Sequence, residues 1–195
     1  MSKPVCLVTG VGHERGTGAQ IAKRFTEGGY RVAMLACNAD NLDILAGQYE
    51  GAYAYPCDVG DLDALVEIVS RVKAEIDASS VVVHNALRST RGGILETDPD
   101  DLERNFRVNT TALLHLARET LPAMLEAGEG AILVTGIPRP RGGAAKFGFF
   151  ASTKAAQRIL AESIAREFGP QGIHVAYFII DAAIDTPAHP PGSGP

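Results

Sequence analysis

Short apolar runs alternate along the chain with longer stretches in which apolar residues recur at helical spacing. Residues 81–83 are all valine, as expected for a strand that is buried on both faces. In contrast, Leu65, Val69 and Val72 follow the 3.6-residue period of a helix. This alternation predicts six strands, at residues 5–8, 30–35, 52–57, 80–86, 131–134 and 174–180.

Residues that favour the start or the end of a helix lie between these runs. Asp61 precedes one helical stretch and Asp98-Pro99 precedes another, and both are favoured at a helix start. Glycines at 28–29, 128 and 169 fit helix ends. The predicted helices cover residues 20–27, 40–48, 61–76, 98–128 and 149–168.

Six strands that alternate with five helices predict βαβ units. Such units cross over with right-handed connections and build a parallel sheet with helices on both faces. We therefore predict a doubly wound α/β domain over residues 1–186, followed by an unstructured Pro/Gly-rich tail at 187–195. Ligands of such a sheet bind at the carboxyl ends of the strands, where the strand order reverses.

Composition narrows the class of protein. The chain has 195 residues, 46% of them apolar, and a net charge of −5, which fits one globular domain and excludes a disordered chain. Its apolar runs are far shorter than the ~18 residues of a membrane helix, and no basic block points to nucleic acid. Three cysteines without metal-ligand spacing fit a reducing compartment. We expect a cytoplasmic protein that uses no metal, membrane or nucleic acid.

A glycine-rich segment, residues 9–18, follows the first strand and opens the first helix. A helix N-terminus offers free N–H groups and a partial positive charge to a phosphate. Glycine lets the backbone turn sharply or approach a ligand closely. In this context the segment predicts a dinucleotide-binding loop, whereas a glycine cluster elsewhere is usually only a flexible loop.

The end of the second predicted strand bears on the choice between NAD and NADP. An NAD enzyme carries an acidic residue there for the ribose 2′-hydroxyl. Here the strand ends in Ala36-Cys37-Asn38, and the first carboxylate is Asp40. Arg15 in the glycine-rich segment could pair with a 2′-phosphate. The pattern favours NADP and leaves NAD open, since Arg15 could also be solvated and Asp40 could cap a helix.

These residues resemble the short-chain dehydrogenase/reductase family, whose fold is Rossmann-like, over nearly the whole chain. Thr9-Gly10 with Gly16-Thr17-Gly18 is similar to the TGxxxGxG loop of that family, lengthened by two residues. Residues 84–87 (HNAL) resemble its NNAG motif, and residues 150–154 (FASTK) its YxxxK segment. Residues 180–187 resemble its PGxxxTP turn.

The resemblance implies a set of cofactor-binding residues. In it, Asp58 accepts from the adenine amino group and Thr186 contacts the nicotinamide carboxamide. The implied set is Thr9, Gly10, Gly12, Arg15, Gly16, Thr17, Gly18, Cys37, Asp58, Val59, Asn85, Ala86, Lys154 and Thr186.

The resemblance also implies four catalytic positions, at Thr135, Asn109, Phe150 and Lys154. In the family a serine polarises the carbonyl, an asparagine helps to hold a water relay, and a tyrosine exchanges a proton with the substrate. A lysine lowers the pKa of that tyrosine and binds the nicotinamide ribose. Here Lys154 and Asn109 match, Thr135 offers the hydroxyl near the serine position, and Phe150 replaces the tyrosine. Acid–base catalysis worth about 10²–10⁴-fold is therefore missing at that position.

The resemblance and its missing tyrosine leave two possible functions. The first is an NADP(H)-dependent oxidoreductase with an atypical site that moves hydride between the nicotinamide and a carbonyl or alcohol substrate, working as a homodimer or homotetramer. The second is a dinucleotide-binding protein without catalysis, such as a sensor, a scaffold or an inactive subunit. His84, next to Asn85, is an alternative proton donor, although a histidine at a strand end is usually structural. The family has a seventh strand beyond the TP turn, and here we expect six.

Overall fold

The computed structural model describes residues 3–137 and 143–182, with Ile184 and Thr186. The predicted tail at 187–195 and most of the predicted loop at 136–143 lie outside these residues. In the described chain, strands and helices alternate as follows: β1 (Val5–Thr9), α1 (Thr17–Glu27), β2 (Arg31–Ala36), α2 (Ala39–Gln48), β3 (Ala52–Pro56), α3 (Leu62–Glu75), β4 (Ser79–His84), α4 (Asp100–Phe106), a π-helical turn (Arg107–Thr111), α5 (Ala112–Ala127), β5 (Gly130–Gly136), α6 (Gly148–Phe168), a 3₁₀ turn (Gly169–Gln171) and β6 (Ile173–Ile179).

The six strands form one parallel sheet in the order β3-β2-β1-β4-β5-β6. The chain runs outward from β1 to β3 and then returns to place β4 on the other side of β1. The connections therefore diverge between β1 and β4, and a crevice opens at the carboxyl ends of these two strands. The predicted doubly wound fold with six strands is confirmed.

Two apolar clusters hold helices on opposite faces of the sheet. Successive residues of β1 point to opposite faces, so that Leu7 joins one cluster and Val8 the other. The first cluster includes residues of α3, α5 and α6, and the second includes residues of α1 and α2. Both faces of β1 are thus buried, which fixes the glycine-rich segment that follows this strand.

The long helix predicted from residue 98 is interrupted, which corrects that prediction. It begins at Asp100, because the Asp98 carboxylate accepts from the Asp100 N–H at 3.0 Å in the turn before it. The π-helical turn then separates α4 from α5. A π turn holds one extra residue and frees a main-chain carbonyl, and such turns are frequent at functional sites.

The other helices start within three residues of the predicted positions. Helix α1 begins at Thr17 instead of residue 20, so the end of the glycine-rich segment is already helical. Asn38 caps α2 by accepting from the Asn41 N–H at 2.9 Å, and Asp40 lies in the first turn behind this cap. Asp61 caps α3 as predicted, accepting from Ala64 at 3.1 Å.

In the described part of the chain, no helix is both long enough and apolar enough to cross a bilayer. Nor do three side chains from His, Cys, Asp or Glu gather there in a group that could hold a metal ion.

Candidate functional site

The glycine-rich segment packs directly against the residues that follow β4. Gly10 has φ +70°, and a Cβ at this position would lie 2.6 Å from the main-chain nitrogen of Ala86. A Cβ at Gly18 would overlap the carbonyl oxygen of Gly10. Gly12, in contrast, has no atom within 4 Å of an added Cβ. Two glycines are thus required by the fold, while Gly12 borders open space that a ligand could enter.

The first turn of α1 presents main-chain N–H groups at this crevice. Gly16 is the N-cap residue and has no side chain that could cap the helix. The segment is held from behind, because Val11 donates to the Leu35 carbonyl at 3.1 Å and the Asn41 side chain donates to the carbonyl of Gly12. A fixed loop with uncapped N–H groups and an open glycine fits the diphosphate of a dinucleotide.

The carboxyl ends of β2 and β3 carry the residues predicted to meet the adenosine half. Cys57 donates its N–H to the Ala36 carbonyl at 2.9 Å, which places residues 37 and 57–58 side by side. Partial burial and the nearby charge of Asp58 raise the pKa of the Cys37 thiol. Asp58 is exposed and accepts from Gly60 at 2.9 Å, whereas Val59 is buried. The structure therefore brings Cys37 and Asp58 together.

Arg15 is exposed on the glycine-rich segment, and its N–H donates to Nδ1 of His13 at 3.2 Å. The first carboxylate after β2 is that of Asp40, in the first turn of α2. The end of β2 itself therefore carries no acidic residue.

Thr9 and His84 form a buried pair at the switch point of the sheet. Nε2 of His84 lies 3.1 Å from the carbonyl oxygen of Val108, so this nitrogen carries the hydrogen and donates. Nδ1 is then an acceptor, and it receives the Thr9 hydroxyl at 3.1 Å. Burial, and secondarily the charge of Lys154, lowers the pKa of His84 to about 4. His84 is therefore neutral and committed to the fold at both nitrogens.

The Thr9 oxygen also accepts from two main-chain N–H groups, those of Asn85 at 3.1 Å and Ala86 at 3.2 Å. The side chain of Asn85 donates to the Gly10 carbonyl at 3.0 Å and accepts from the Thr135 hydroxyl at 3.0 Å. These bonds join the carboxyl ends of β1, β4 and β5. The structure thus brings together four predicted site residues, Thr9, Gly10, Asn85 and Thr135.

Lys154 reaches the same place from α6. Its side chain is 2% exposed, and Nζ donates to the Thr135 carbonyl at 2.9 Å. Burial lowers the pKa of Lys154 to about 8. Phe150, one turn earlier on α6, is also buried. Ser152 between them is exposed and donates to the Gly148 carbonyl at 2.7 Å, so its hydroxyl is used within its own helix.

Asn109 lies in the π-helical turn and is fully buried. Its side chain accepts from the Arg88 N–H and donates to the Arg88 carbonyl, both at 2.9 Å, and it also donates to the Thr153 hydroxyl at 2.8 Å. Its carbonyl accepts from Nε2 of Gln157 at 2.6 Å. Asn109 therefore clamps the segment after β4 to α6, and the predicted role in a water relay stays a prediction.

Sequence reasoning missed Gln157 and Tyr177. Gln157 is fully buried, and among the described residues its Oε1 has no hydrogen-bond partner. Gln157 lies three residues after Lys154 and therefore on the same face of the helix. This spacing could have identified it from the sequence. The ring of Tyr177 fills the space that a Cβ at Gly136 would occupy, and its hydroxyl lies 3.5 Å from the Lys154 carbonyl. No local pattern predicts this contact.

Two loops border the start of α6. The Gly92 N–H donates to the Lys146 carbonyl at 3.1 Å, and the guanidinium of Arg91 lies 4.8 Å from the centre of the Phe147 ring. Leu87 and Leu95 are exposed in the segment between β4 and α4. This rim brings apolar and cationic residues to the start of α6. Thr186 is partly buried, and because residues 185 and 187 lie outside the described chain, its contact with a nicotinamide stays a prediction.

Comparisons with known proteins concern the family and the fold of this chain. A family model described as "Enoyl-(Acyl carrier protein) reductase" matches residues 10–193. The chain is 33% identical over 187 residues to the cyclic-di-GMP-binding biofilm dispersal mediator protein of Escherichia coli, covering 95% of this chain and 75% of that protein.

Solved structures give the same result. A short-chain dehydrogenase from Streptomyces avermitilis is 30% identical with a TM-score of 0.84, over 96% of this chain and 74% of the other. A metagenomic short-chain oxidoreductase in complex with NADP is 26% identical with a TM-score of 0.86, over 94% and 84%.

Proposed function

This chain belongs to the short-chain dehydrogenase/reductase family, a family of NAD(P)-dependent oxidoreductases, and we propose that it reduces a carbonyl substrate with NADPH or catalyses the reverse oxidation of an alcohol. One observation carries this proposal: Lys154 from α6 and Asn85 from the end of β4 meet at Thr135, beside the glycine-rich segment. A cation and an amide at the switch point are suited to a ribose and a nicotinamide amide.

The residues present fit a bound dinucleotide. The diphosphate would lie against the N–H groups of Thr17 and Gly18, with Gly12 leaving room for it. Asp58 would meet the adenine, Lys154 the nicotinamide ribose, and Thr186 the carboxamide. The reduced nicotinamide supplies two electrons and one proton to the substrate as a hydride. The protein contributes binding, orientation and the second proton.

We propose NADP rather than NAD as this cofactor. The support is the exposed Arg15 on the glycine-rich segment together with a β2 end that carries no carboxylate. The test is a fluorescence titration with NADPH and with NADH. Arg15→Ala should weaken NADPH binding at least tenfold and leave NADH binding within twofold, whereas Lys23→Ala, on the exposed side of α1, should change neither. Equal losses for both nucleotides would contradict the preference.

We further propose a small carbonyl compound or alcohol as the substrate and a homodimer or homotetramer as the assembly. Leu114 on α5 is 40% exposed and Ile159 on α6 is 53% exposed, which favours pairing of these two helices with a second copy. Ile159→Glu should then lower the mass measured by light scattering. An unchanged mass would argue against this interface.

A second function is favoured by Phe150, which has no proton to give. In this alternative the chain binds a dinucleotide without catalysis, as a sensor, scaffold or inactive subunit. The Escherichia coli relative, whose name states binding of cyclic-di-GMP, supports a binding role in the family. Titration with NADPH, followed by a screen of carbonyl compounds for loss of nicotinamide absorbance, separates the two functions. Binding with turnover supports the enzyme, binding alone supports the second function, and no binding contradicts both.

A further inference from the structure

Lys154 is an unusually isolated cation within the described chain. Its side chain is 2% exposed, and its hydrogen-bond partner there is a main-chain carbonyl, that of Thr135 at 2.9 Å. No carboxylate of the described residues forms an ion pair with it. An ammonium has three hydrogens, and Thr135 takes one of them. A buried ammonium without a carboxylate partner favours loss of its proton.

The other titratable groups that face Lys154 are poorly placed to give a proton to a ligand in the crevice. His84 on β4 is neutral, and both of its nitrogens are engaged, with Thr9 and Val108. Tyr177 on β6 has its ring against Gly136 and its hydroxyl beside the main-chain carbonyl of Lys154. That hydroxyl therefore faces the backbone of α6. Arg158, one turn further along α6, forms an ion pair with Glu162 at 3.3 Å.

We propose that Lys154 is itself the proton donor of the reductive reaction, at the step for which the family uses the tyrosine that Phe150 replaces. This inference rests on the proposed oxidoreductase function. In the step, the Nζ–H bond of Lys154 breaks and an O–H bond forms on the substrate oxygen. The carbonyl carbon receives a hydride, with its two electrons, from the reduced nicotinamide. Lys154 is left as a neutral amine and takes a new proton from solvent.

The chemistry of the site supports this role. A proton donor works best when its pKa lies near the working pH, and the burial of Lys154 lowers its pKa to about 8, far closer to neutrality than an exposed lysine. Its remaining two N–H bonds allow it to bind a ribose hydroxyl and a substrate oxygen together. Thr135, whose hydroxyl is held by Asn85, keeps the ammonium at the carboxyl end of β5.

The first test is a pKa measured without any cofactor. NMR of the full chain labelled with ¹³C at lysine Cε should show one resonance that is missing in Lys154→Arg and that titrates near pH 8. A Lys154 resonance that titrates above pH 10 would overturn the inference. This readout does not depend on activity.

The second test is kinetic and uses NADPH with 4-nitrobenzaldehyde, 2,3-butanedione and cyclohexanone. The wild-type rate should fall about tenfold per pH unit above the pKa found by NMR, because the protonated fraction falls by that factor. Lys154→Arg keeps the charge but holds its proton, so kcat should drop at least about 100-fold while NADPH binding stays within threefold. Lys154→Met should lose turnover as well. Tyr177→Phe removes the other hydroxyl near Lys154, and a lost rate in this variant would contradict the inference. Lys23→Arg, on the exposed side of α1, is the control that should keep the wild-type rate within twofold.

The outcomes separate the two levels of the proposal. If the wild-type chain does not bind NADPH, the proposed function fails and the inference fails with it. If NADPH binds and Lys154→Arg turns over at the wild-type rate, or Tyr177→Phe loses the rate, the inference alone is wrong. NADPH binding without turnover of any carbonyl compound also counts against a working proton donor at Lys154.

Discussion

The hydroxyl of Thr9 lies 3.1 Å from Nδ1 of His84, and this pair closes the end of β1 onto the end of β4. Thr9 donates to the ring and accepts from the N–H groups of Asn85 and Ala86 with the same oxygen. One side chain therefore satisfies three polar groups, the Nδ1 of His84 and the N–H groups of Asn85 and Ala86. Thr9 therefore fixes the end of β1 against the end of β4 without any ligand.

Thr9→Val should destabilise the protein although it keeps the size of the side chain. The substitution leaves His84 Nδ1 and two main-chain N–H groups without their partner, and each buried unsatisfied group costs about 1–3 kcal/mol. We expect the free energy of unfolding to fall by about 3 kcal/mol in a urea titration. Thr9→Ser keeps the oxygen and should lose less than about 1 kcal/mol. Equal stability of the valine and serine variants would contradict this role.

His84 should make the fold sensitive to mild acid. Burial lowers its pKa from 6.5 to about 4, so between these pH values the unfolded chain binds a proton that the folded chain does not. The free energy of unfolding should therefore fall as the pH drops from about 6.5 to about 4, by up to about 3 kcal/mol. His84→Asn carries the residue of the family motif and removes this titration. If the free energy of unfolding of the wild type and of His84→Asn changed equally with pH, His84 would keep its ordinary pKa in the fold and the prediction would be wrong.

Gly10 and Gly12 should respond differently to alanine. At Gly10 an alanine must adopt φ +70° and its Cβ would lie 2.6 Å from the Ala86 backbone, so Gly10→Ala should lower stability by at least about 3 kcal/mol. At Gly12 a Cβ meets nothing within 4 Å, and stability should be unchanged. Gly12→Ala should instead weaken NADPH binding about tenfold, since its methyl group enters the space left for the diphosphate. Loss of stability without loss of binding at Gly12 would contradict this assignment.

The sequence was sufficient for the fold because the central strands β1, β2 and β4 are buried on both faces. Residues 81–83 can be read as a central parallel strand, and the glycines at 10 and 18 as a tight strand-to-helix turn, from local pattern alone. The π-helical turn could not be read in this way, since apolar residues at 102, 106, 113 and 116 fit an unbroken helix equally well.

Contacts between distant parts of the chain also escaped sequence reasoning. The bond from Gln157 to the carbonyl of Asn109 joins residues 48 positions apart. The ring of Tyr177 beside Gly136 depends on the register of β5 against β6. Neither distance nor register is encoded in a local pattern, so these residues appear only in the folded chain.

Phe150→Tyr should raise the rate of carbonyl reduction at least tenfold. A tyrosine hydroxyl at this position would stand four residues before Lys154 on the same face of α6, where the cation favours its ionised form. The rate of NADPH oxidation with a fixed carbonyl substrate measures the gain. Phe149→Tyr adds the same hydroxyl one residue away and should leave the rate unchanged. No gain at 150 would mean that this position does not limit catalysis.

Lys154→Met should stabilise the cofactor-free protein near neutral pH. The lysine pKa falls from 10.5 in an exposed side chain to about 8 in the fold, so the folded state carries the charge at a cost of about 3 kcal/mol when Lys154 is protonated. Methionine avoids this cost. It also leaves the Thr135 carbonyl without its donor, which lowers the stability of the variant by about 1 kcal/mol. We expect a net gain of about 2 kcal/mol at pH 7 in the free energy of unfolding.

The effect of Lys154→Met on stability should depend on pH. Between pH 8 and 10.5 the unfolded chain binds more protons at Lys154 than the folded chain, so the wild-type stability should rise with pH across this range. Since the methionine variant has no such group, the difference in stability should move by about 3 kcal/mol in favour of the wild type between pH 8 and 10.5, and the wild type should become the more stable of the two. Lys23→Met, on the exposed side of α1, should show neither the gain nor the pH dependence. A constant gap between wild type and Lys154→Met would mean that Lys154 keeps an ordinary pKa, and that its burial is compensated by groups beyond Thr135.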